Sequence, residues 1–78
     1  MHRDLDRESA SPLYEQLAAI IREDIASGRI TRRVPSEWDL AESYDVARDT
    51  VRQAIRLLRD EGTVEVRSGK GTFVRHPE

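Results

Sequence analysis

Apolar side chains recur at helical spacing in the first third of the chain and define one stripe of a helix. Ser11 can cap this helix and Pro12 suits its first position, while Gly28 supplies a stop. We therefore predict a first helix between Ser11 and Gly28. Its apolar positions are Leu13, Leu17, Ile20, Ile21 and Ile25.

Two further helical patterns follow, separated by a tight turn. Ser36 and Asp39 have the spacing of a capping box, and Leu40 supplies an apolar position before this short helix ends near Ser43. After the turn at residues 44–46, a third helix is predicted, and it stops at a glycine, Gly62. Its inner face consists of Val51, Ala54, Ile55 and Leu58. Its outer face presents Arg48, Asp49, Arg52, Gln53, Arg56 and Arg59.

After Gly62 the pattern changes from helical to alternating, which predicts a strand. The Gly-rich turn at residues 68–71 and the run 72–75 then predict a two-stranded hairpin, and residues 29–35 allow at most a brief strand. The fold class is therefore α+β, with three helices followed by a β-hairpin. The alternating run is Val64, Glu65, Val66 and Arg67.

Composition narrows the possible functions. The 78 residues contain no cysteine, and the two histidines, His2 and His76, lie near opposite ends, so we expect neither a metal site nor a cofactor. No stretch approaches the roughly 20 apolar residues that span a bilayer, and the first residues lack the apolar run of a secretory signal. We expect a cytoplasmic protein without membrane contact.

Charge is unevenly distributed along the chain, although the net charge is only −2. Residues 1–47 carry six arginines against ten acidic residues, a charge of −4. Residues 48–75 carry six arginines and Lys70 against four acidic residues, a charge of +3. Mixed charges can simply keep a small domain in solution, so charge alone does not decide the function. The C-terminal half is nevertheless the candidate DNA-binding face.

Arg48 and Arg52 lie one turn apart at the start of the third predicted helix. Two helices joined by a tight turn, the second with arginines near its start, are typical of helix-turn-helix domains, whose recognition helix enters the major groove. Arginine can bind guanine O6 and N7 together, which is worth about 1–3 kcal/mol of discrimination. The alternative is that both are solvated surface arginines. Their position beside a hairpin with a basic tip favours DNA binding.

Lys70 lies between Gly69 and Gly71 at the predicted hairpin tip. Glycines let the backbone bend sharply and approach a phosphate or the minor-groove edge. Most such tips are simply turns, so the interpretation rests on the position of this one directly after a recognition helix. The spacing differs from that of a nucleotide-binding phosphate loop, and no ATP site is predicted.

A series of short motifs in a fixed order extends from Pro12 to Val74. The series comprises Pro12-Leu13-Tyr14, Gln16, Gly28, Pro35-Ser36-Glu37, Asp39-Leu40-Ala41, Val46, Arg48, Thr50-Val51-Arg52-Gln53-Ala54, Leu58, Glu61-Gly62 and Gly69-Lys70-Gly71-Thr72-Phe73-Val74. Together these motifs resemble the N-terminal domain of the GntR family of bacterial transcription regulators. The resemblance implies a winged helix-turn-helix domain, usually of a repressor, that binds a palindromic operator as a dimer.

The same resemblance implies which residues contact DNA. On the recognition helix they are Arg48, Thr50 and Arg52, and in the wing they are Ser68, Gly69 and Lys70. Arg56, further along the helix, is expected to contact phosphate or solvent rather than bases, as is Arg59.

Three positions depart from the family pattern. Trp38 stands where the family usually has a DNA-contacting arginine; its ring can lie on sugar and phosphate, but a lone tryptophan beside a small core is more often packed, and we favour packing. Ala47 replaces a serine and removes a helix cap worth about 1 kcal/mol. Asp49, where threonine is frequent, either stabilises the helix N-terminus or accepts a hydrogen bond from cytosine N4, and we favour the first.

The predicted organisation is a flexible arm at residues 1–11, the winged helix domain at residues 12–75, and a tail at residues 76–78. Family members usually carry an effector-binding or dimerisation domain, for which 78 residues leave no room. We therefore expect a domain of a longer regulator, dimeric at full length and monomeric alone. The operator, the effector and the regulated genes stay open.

Two other functions compete with operator binding. A winged helix used for protein or RNA contacts would show no preference for one duplex sequence over random DNA. A small hydrolase or transferase would need a pocket with convergent acid, base or nucleophile, and neither histidine lies in a patterned element, so we expect no enzyme.

Overall fold

The computed structural model describes residues 5–75. The chain enters the fold through its first helix. This helix, α1, spans Leu13–Ala26, and the residue that precedes it as N-cap is Pro12. The predicted cap at Ser11 is wrong by one residue, because the helix begins at Leu13 and the N–H groups of Glu15 and Gln16 donate to the Pro12 carbonyl. The buried side chains of α1 are Leu17, Ala18 and Ile21.

The second helix, α2, spans Glu37–Tyr44 and has the predicted length of about two turns. The Ser36 hydroxyl caps it by accepting a hydrogen bond from the backbone N–H of Asp39 at 3.1 Å, as the capping-box spacing predicts. Asp45 ends it in the left-handed region, at φ 54° and ψ 53°. The chain reverses here in a few residues, so the next helix starts at once.

The third helix, α3, spans Arg48–Asp60 and buries Val51, Ala54 and Leu58. Its N-cap residue is Ala47, whose methyl group offers no acceptor, so the expected loss of a side-chain cap is confirmed. Gly62, at φ 85°, lets the chain leave the helix in a conformation that side chains rarely adopt.

The hairpin consists of β1, Val64–Arg67, and β2, Gly71–Val74, paired antiparallel with Val64 opposite Val74. The brief strand predicted before Pro35 is present as a single bridge between Arg33 and Phe73. Two backbone hydrogen bonds flank this bridge, from Val34 N to Thr72 O at 2.9 Å and from Val74 N to Arg32 O at 2.7 Å. The segment before α2 is thereby attached to the hairpin.

One core holds the helices and the hairpin together. Its buried members are Leu17, Ala18, Ile21, Val34, Leu40, Val51, Ala54, Leu58, Val64 and Val74. Because α1, α2, α3 and both strands each contribute at least one residue, α3 is fixed relative to the hairpin. The predicted fold class, three helices followed by a hairpin, is confirmed.

The N-terminal segment makes contacts that the sequence did not indicate. The Asp6 backbone N–H donates to Gln16 Oε1 at 2.7 Å, and Arg7 Nη2 donates to the carbonyls of Tyr44 and Asp45 at 3.2 and 2.6 Å. Over residues 5–11 the predicted flexible arm is thus hydrogen-bonded to α1 and to the end of α2. Residues 1–4 of the arm and the tail at 76–78 lie outside the described residues. Within the described range, no helix is long and apolar enough to cross a bilayer.

Candidate nucleic-acid interface

The exposed start of α3 carries the two arginines that the sequence selects. Arg48 is the first residue of α3 and Arg52 follows one turn later, and about half of each side chain is exposed. Asp49 lies in the same first turn, with its Oδ1 atom 4.0 Å from Arg52 Nη1. An acid in the first turn of a helix stabilises the positive end of its dipole, which agrees with the favoured interpretation of Asp49.

Glu37, a residue that the sequence analysis used only as part of a motif, joins both arginines. Its Oε1 atom accepts from Arg48 Nε at 3.1 Å and Nη2 at 2.8 Å, and its Oε2 atom accepts from Arg52 Nε at 3.1 Å. Hydrogen bonds from Arg48 and then Arg52 lower the pKa of the Glu37 carboxyl below its usual value. The carboxylate is therefore ionised at neutral pH and holds two guanidinium groups side by side.

Trp38 follows Glu37 on α2 and exposes 63% of its surface. The favoured packing of this side chain in the core is therefore wrong. Leu40, two residues later, is buried, and residues two positions apart on a helix do not share a face. Trp38 lines a shallow surface depression together with Val46 and Arg48, so its ring lies beside the predicted DNA contacts.

A groove separates α3 from the hairpin. On the helix side it is lined by Arg52, Ile55, Arg56 and Arg59, and on the hairpin side by Val66 and Thr72. Since Arg52 also contacts Glu37, the surface is continuous from Trp38 across the start of α3 to the hairpin. We call this face the recognition surface, and it comprises Glu37, Trp38, Arg48, Arg52, Arg56, Val66 and the hairpin tip at residues 68–71.

The hairpin tip is exposed at Ser68, Gly69 and Lys70. Gly69 has φ 74°, and open space surrounds the position that a Cβ would occupy, so the backbone there is free to approach a partner. The structure places Ser68, Gly69 and Lys70 together at this tip, and Arg48 and Arg52 together on α3. Thr50, half-buried within the first turn of α3, belongs to the same end of the helix.

Arg33 supports the hairpin tip from the segment before α2, a role that sequence analysis missed. Its Nη2 atom donates to the Lys70 carbonyl at 3.0 Å, and its guanidinium lies 5.8 Å from the centre of the Phe73 ring. Arg67 lies on the same ring at 4.6 Å. A cluster of two arginines on one aromatic ring therefore holds the base of the tip, and the order of charges along the chain gives no indication of it.

The domain matches proteins of known class. A family model described as "Bacterial regulatory proteins, gntR family" matches residues 13–74. The chain belongs to the gntR family. Among gntR-like relatives, the uncharacterized HTH-type transcriptional regulator YurK of Bacillus subtilis is 45% identical over 76 residues, covering 95% of this chain and 31% of YurK. The histidine utilization repressor of Klebsiella aerogenes is 39% identical over 74 residues, covering 92% of this chain and 31% of the repressor.

Solved structures give the same assignment. YtrA from Sulfolobus acidocaldarius, a GntR-family transcription factor, superimposes with a TM-score of 0.86 at 34% identity, covering 95% of this chain and 80% of YtrA. AraR(DBD) in complex with operator ORX1 superimposes with a TM-score of 0.85 at 32% identity, covering 94% of this chain and 95% of AraR(DBD). The resemblance found in the sequence is confirmed.

The share of each curated relative that the chain covers determines how much of that relative's function can be assigned to it. The gntR-family chain spans about a third of the length of the two curated relatives. Its fold is that of a DNA-binding domain of a transcription regulator, and duplex DNA is the partner that the family and the structural neighbours indicate. The DNA roles of Arg48, Asp49, Thr50, Arg52, Ser68, Gly69, Lys70, Trp38 and Arg56 stay predictions.

Proposed function

We propose that this domain reads a palindromic operator for a bacterial repressor, with one copy on each half-site. The observation that carries the proposal is the pair Arg48 and Arg52, both half-exposed at the start of α3 and both bonded to Glu37, next to a groove that leads to a basic hairpin tip. The histidine utilization repressor is a similar protein with a repressor name, which supports this mode of regulation.

The DNA contact that we propose for each side chain follows from its position on the recognition surface. The two arginines at the start of α3 contact guanine edges in the major groove, while Lys70 contacts phosphate or the minor-groove edge next to it. Trp38 lies against the sugar-phosphate backbone, and Arg56 contacts phosphate. The protein acts in the cytoplasm by occupying DNA, without a catalysed reaction and without a cofactor.

Selection of bound sequences from random duplex DNA tests the proposal, followed by titration of the selected duplex at several salt concentrations. Arg48→Ala and Arg52→Ala should each weaken binding to the selected duplex by about 1–3 kcal/mol and relax base choice. Lys70→Ala should weaken binding to all sequences alike. It should also reduce the slope of log affinity against log salt concentration by about one unit.

Arg59→Ala provides the matched control, because Arg59 is an arginine of the same helix that pairs with Asp60 at its far end. It should leave the base preference unchanged. Selection that enriches no sequence, or arginine variants that bind the selected duplex as tightly as the parent, would contradict operator reading. Equal affinity for single-stranded RNA and for the duplex would favour the competing RNA-binding function.

A further inference from the structure

Glu37 is the single acidic residue within hydrogen-bonding distance of both predicted base-reading arginines in the described part of the chain. A carboxylate on a DNA-binding face is unfavourable in itself, since it repels the phosphates that dominate affinity. It also partly offsets the positive charge of Arg48 and Arg52. Its presence at the centre of the recognition surface therefore calls for a compensating gain.

The hydrogen-bond pattern shows which donors Glu37 occupies. A guanidinium has five N–H donors, one on Nε and two on each Nη atom. Glu37 takes the Nε donor of Arg52, and it takes the Nε and Nη2 donors of Arg48 on one oxygen. Each arginine is thus held along its Nε side, and its bonds to Glu37 leave Nη1 and the outer N–H of Nη2 unused. The terminal edge formed by Nη1 and Nη2 has the fork geometry that matches guanine O6 and N7.

The arrangement is also rigid in a way that favours binding. Glu37 follows the Ser36 cap as the first residue of α2, so its backbone is fixed by the capped helix. The Glu37 side chain is 32% exposed, whereas each arginine side chain is about half exposed. A long side chain that is already held in its bound geometry loses less conformational freedom when DNA binds. One carboxylate on α2 thus restricts the side chains of both arginines on α3.

We propose that Glu37 is a positioning residue for base recognition, which orients Arg48 and Arg52 through their Nε donors so that both present their terminal edges to guanines. The proposal rests on the proposed operator binding. Glu37 itself touches no base. It acts through the two arginines, and it increases discrimination between bases while lowering the general attraction to DNA.

Glu37→Gln tests the proposal because it keeps the shape of the side chain and removes its charge. One of the two amide positions now carries N–H donors, which face the arginine donors instead of accepting from them. We expect discrimination between the selected duplex and duplexes with single guanine-to-adenine changes to fall about tenfold. Binding to unrelated duplex DNA should become about two- to fivefold tighter, because one negative charge has left the surface.

Asp39→Asn is the matched control, since Asp39 lies in the same first turn of α2 and is exposed. It removes the same charge and leaves the hydrogen bonds of Glu37 in place. It should leave discrimination unchanged and raise affinity for unrelated DNA by less, because Asp39 lies two positions from Glu37 on another face of α2. A purely electrostatic role of Glu37 would leave discrimination unchanged in Glu37→Gln as well, and that result would overturn the proposal.

A double-mutant cycle separates positioning from other effects. In an Arg48→Ala, Arg52→Ala background, Glu37→Gln should no longer change discrimination. A loss of the same size in that background would show that Glu37 acts without the arginines, against the proposal. A parent protein that prefers no duplex would instead refute operator binding itself, so the two failures are distinguishable.

Nuclear magnetic resonance of the free parent protein gives a measurement that does not depend on the folding of any variant. The Nε–Hε protons of Arg48 and Arg52 should exchange slowly with water and give separate resonances, whereas that of Arg56 should exchange rapidly. Equally rapid exchange at all three arginines would mean that Glu37 does not hold them, and the proposal would fail.

Discussion

Trp38 is one of two large apolar side chains exposed in the described part of the chain, the other being Val66. Both lie on the recognition surface. Single exposed apolar side chains are common on protein surfaces, so it is the position of Trp38 beside the predicted DNA-contacting residues that motivates a role for it. Trp38 borders Arg48, and an indole offers a flat apolar ring and one N–H donor. Its position therefore fits the sugar-phosphate backbone next to a bound base.

Trp38→Ala should weaken operator binding without changing the stability of the domain. If binding covers about 50 Å² of the ring, the loss is about 1.3 kcal/mol, or close to tenfold in affinity. The fluorescence of Trp38 in the parent, which has one tryptophan, should also change on titration with the operator. Thermal unfolding of the variant serves as the control. Unchanged affinity and unchanged fluorescence would place Trp38 outside the interface.

The contact between α1 and the end of α3 determines how firmly the recognition helix is held. Besides the shared core, Arg22 of α1 makes two hydrogen bonds to Glu61, the residue that follows α3, at 2.7 and 2.8 Å. The Thr63 hydroxyl donates to the same carboxylate at 3.0 Å. The hydrogen bonds from Arg22 lower the pKa of the Glu61 carboxyl below its usual value. This ion pair holds the C-terminal end of α3, which is the end opposite Arg48 and Arg52.

The pH dependence of stability follows from that lowered pKa. The pKa of this carboxyl is lower in the folded state than in the unfolded state, where it is near 4.5, so the ionised group stabilises the fold at pH values above 4.5. This contribution is lost as the pH falls through the folded-state pKa. Glu61→Gln should therefore lower the free energy of unfolding by about 0.5–1 kcal/mol at pH 7, as is typical of partly exposed pairs. As the pH falls through the folded-state pKa, the difference in unfolding free energy between the parent and the variant should shrink, so it should be smaller at pH 3 than at pH 7.

Urea denaturation at both pH values provides the measurement, with Glu42→Gln as the control on α2. Glu42 is exposed, and its replacement should leave the free energy of unfolding nearly unchanged at either pH. If Glu61→Gln lowers the free energy of unfolding as much at pH 3 as at pH 7, the loss of the ion pair is not the cause of that destabilisation.

For the molecule as a whole, the apolar faces of the elements are directed into one core. The inner stripes of α1 and α3 and one face of the hairpin all contribute to it. Over residues 5–75 the large apolar side chains left exposed are Trp38 and Val66, and both lie on the recognition surface and not on a separate apolar patch. A stable dimer needs an interface of well over 1,000 Å² with a central apolar region, so the described surface favours a monomer.

The free chain should sediment as a monomer, and two copies should occupy one palindromic operator. Each half-site is then filled separately, so binding should be weak compared with that of a covalently linked pair of domains. Sedimentation with full and half operators measures both stoichiometries. A dimer in the absence of DNA would contradict the predicted monomer. One bound copy on the full operator, as on the half operator, would contradict the prediction that both half-sites are filled.

The sequence by itself determined the elements, because their rules are local. Ser36 and Asp39 fix the start of α2, Gly62 fixes the end of α3, and alternation predicts the strand that follows. The same local rules placed Arg48 and Arg52 on one exposed face. Helical spacing from Leu40 would also have predicted an exposed Trp38, and the general tendency of tryptophan to be packed gave the wrong answer instead.

Only the tertiary structure decided which distant residues meet. Glu37 reaches arginines 11 and 15 residues away, and Arg33 reaches a carbonyl 37 residues away. Arg7 binds the end of α2 across a similar separation. Such contacts depend on the angle and distance at which helices and strands pack, and those are set by the core as a whole. No periodicity along the chain encodes them, so the supports of the recognition surface become visible only in the folded molecule.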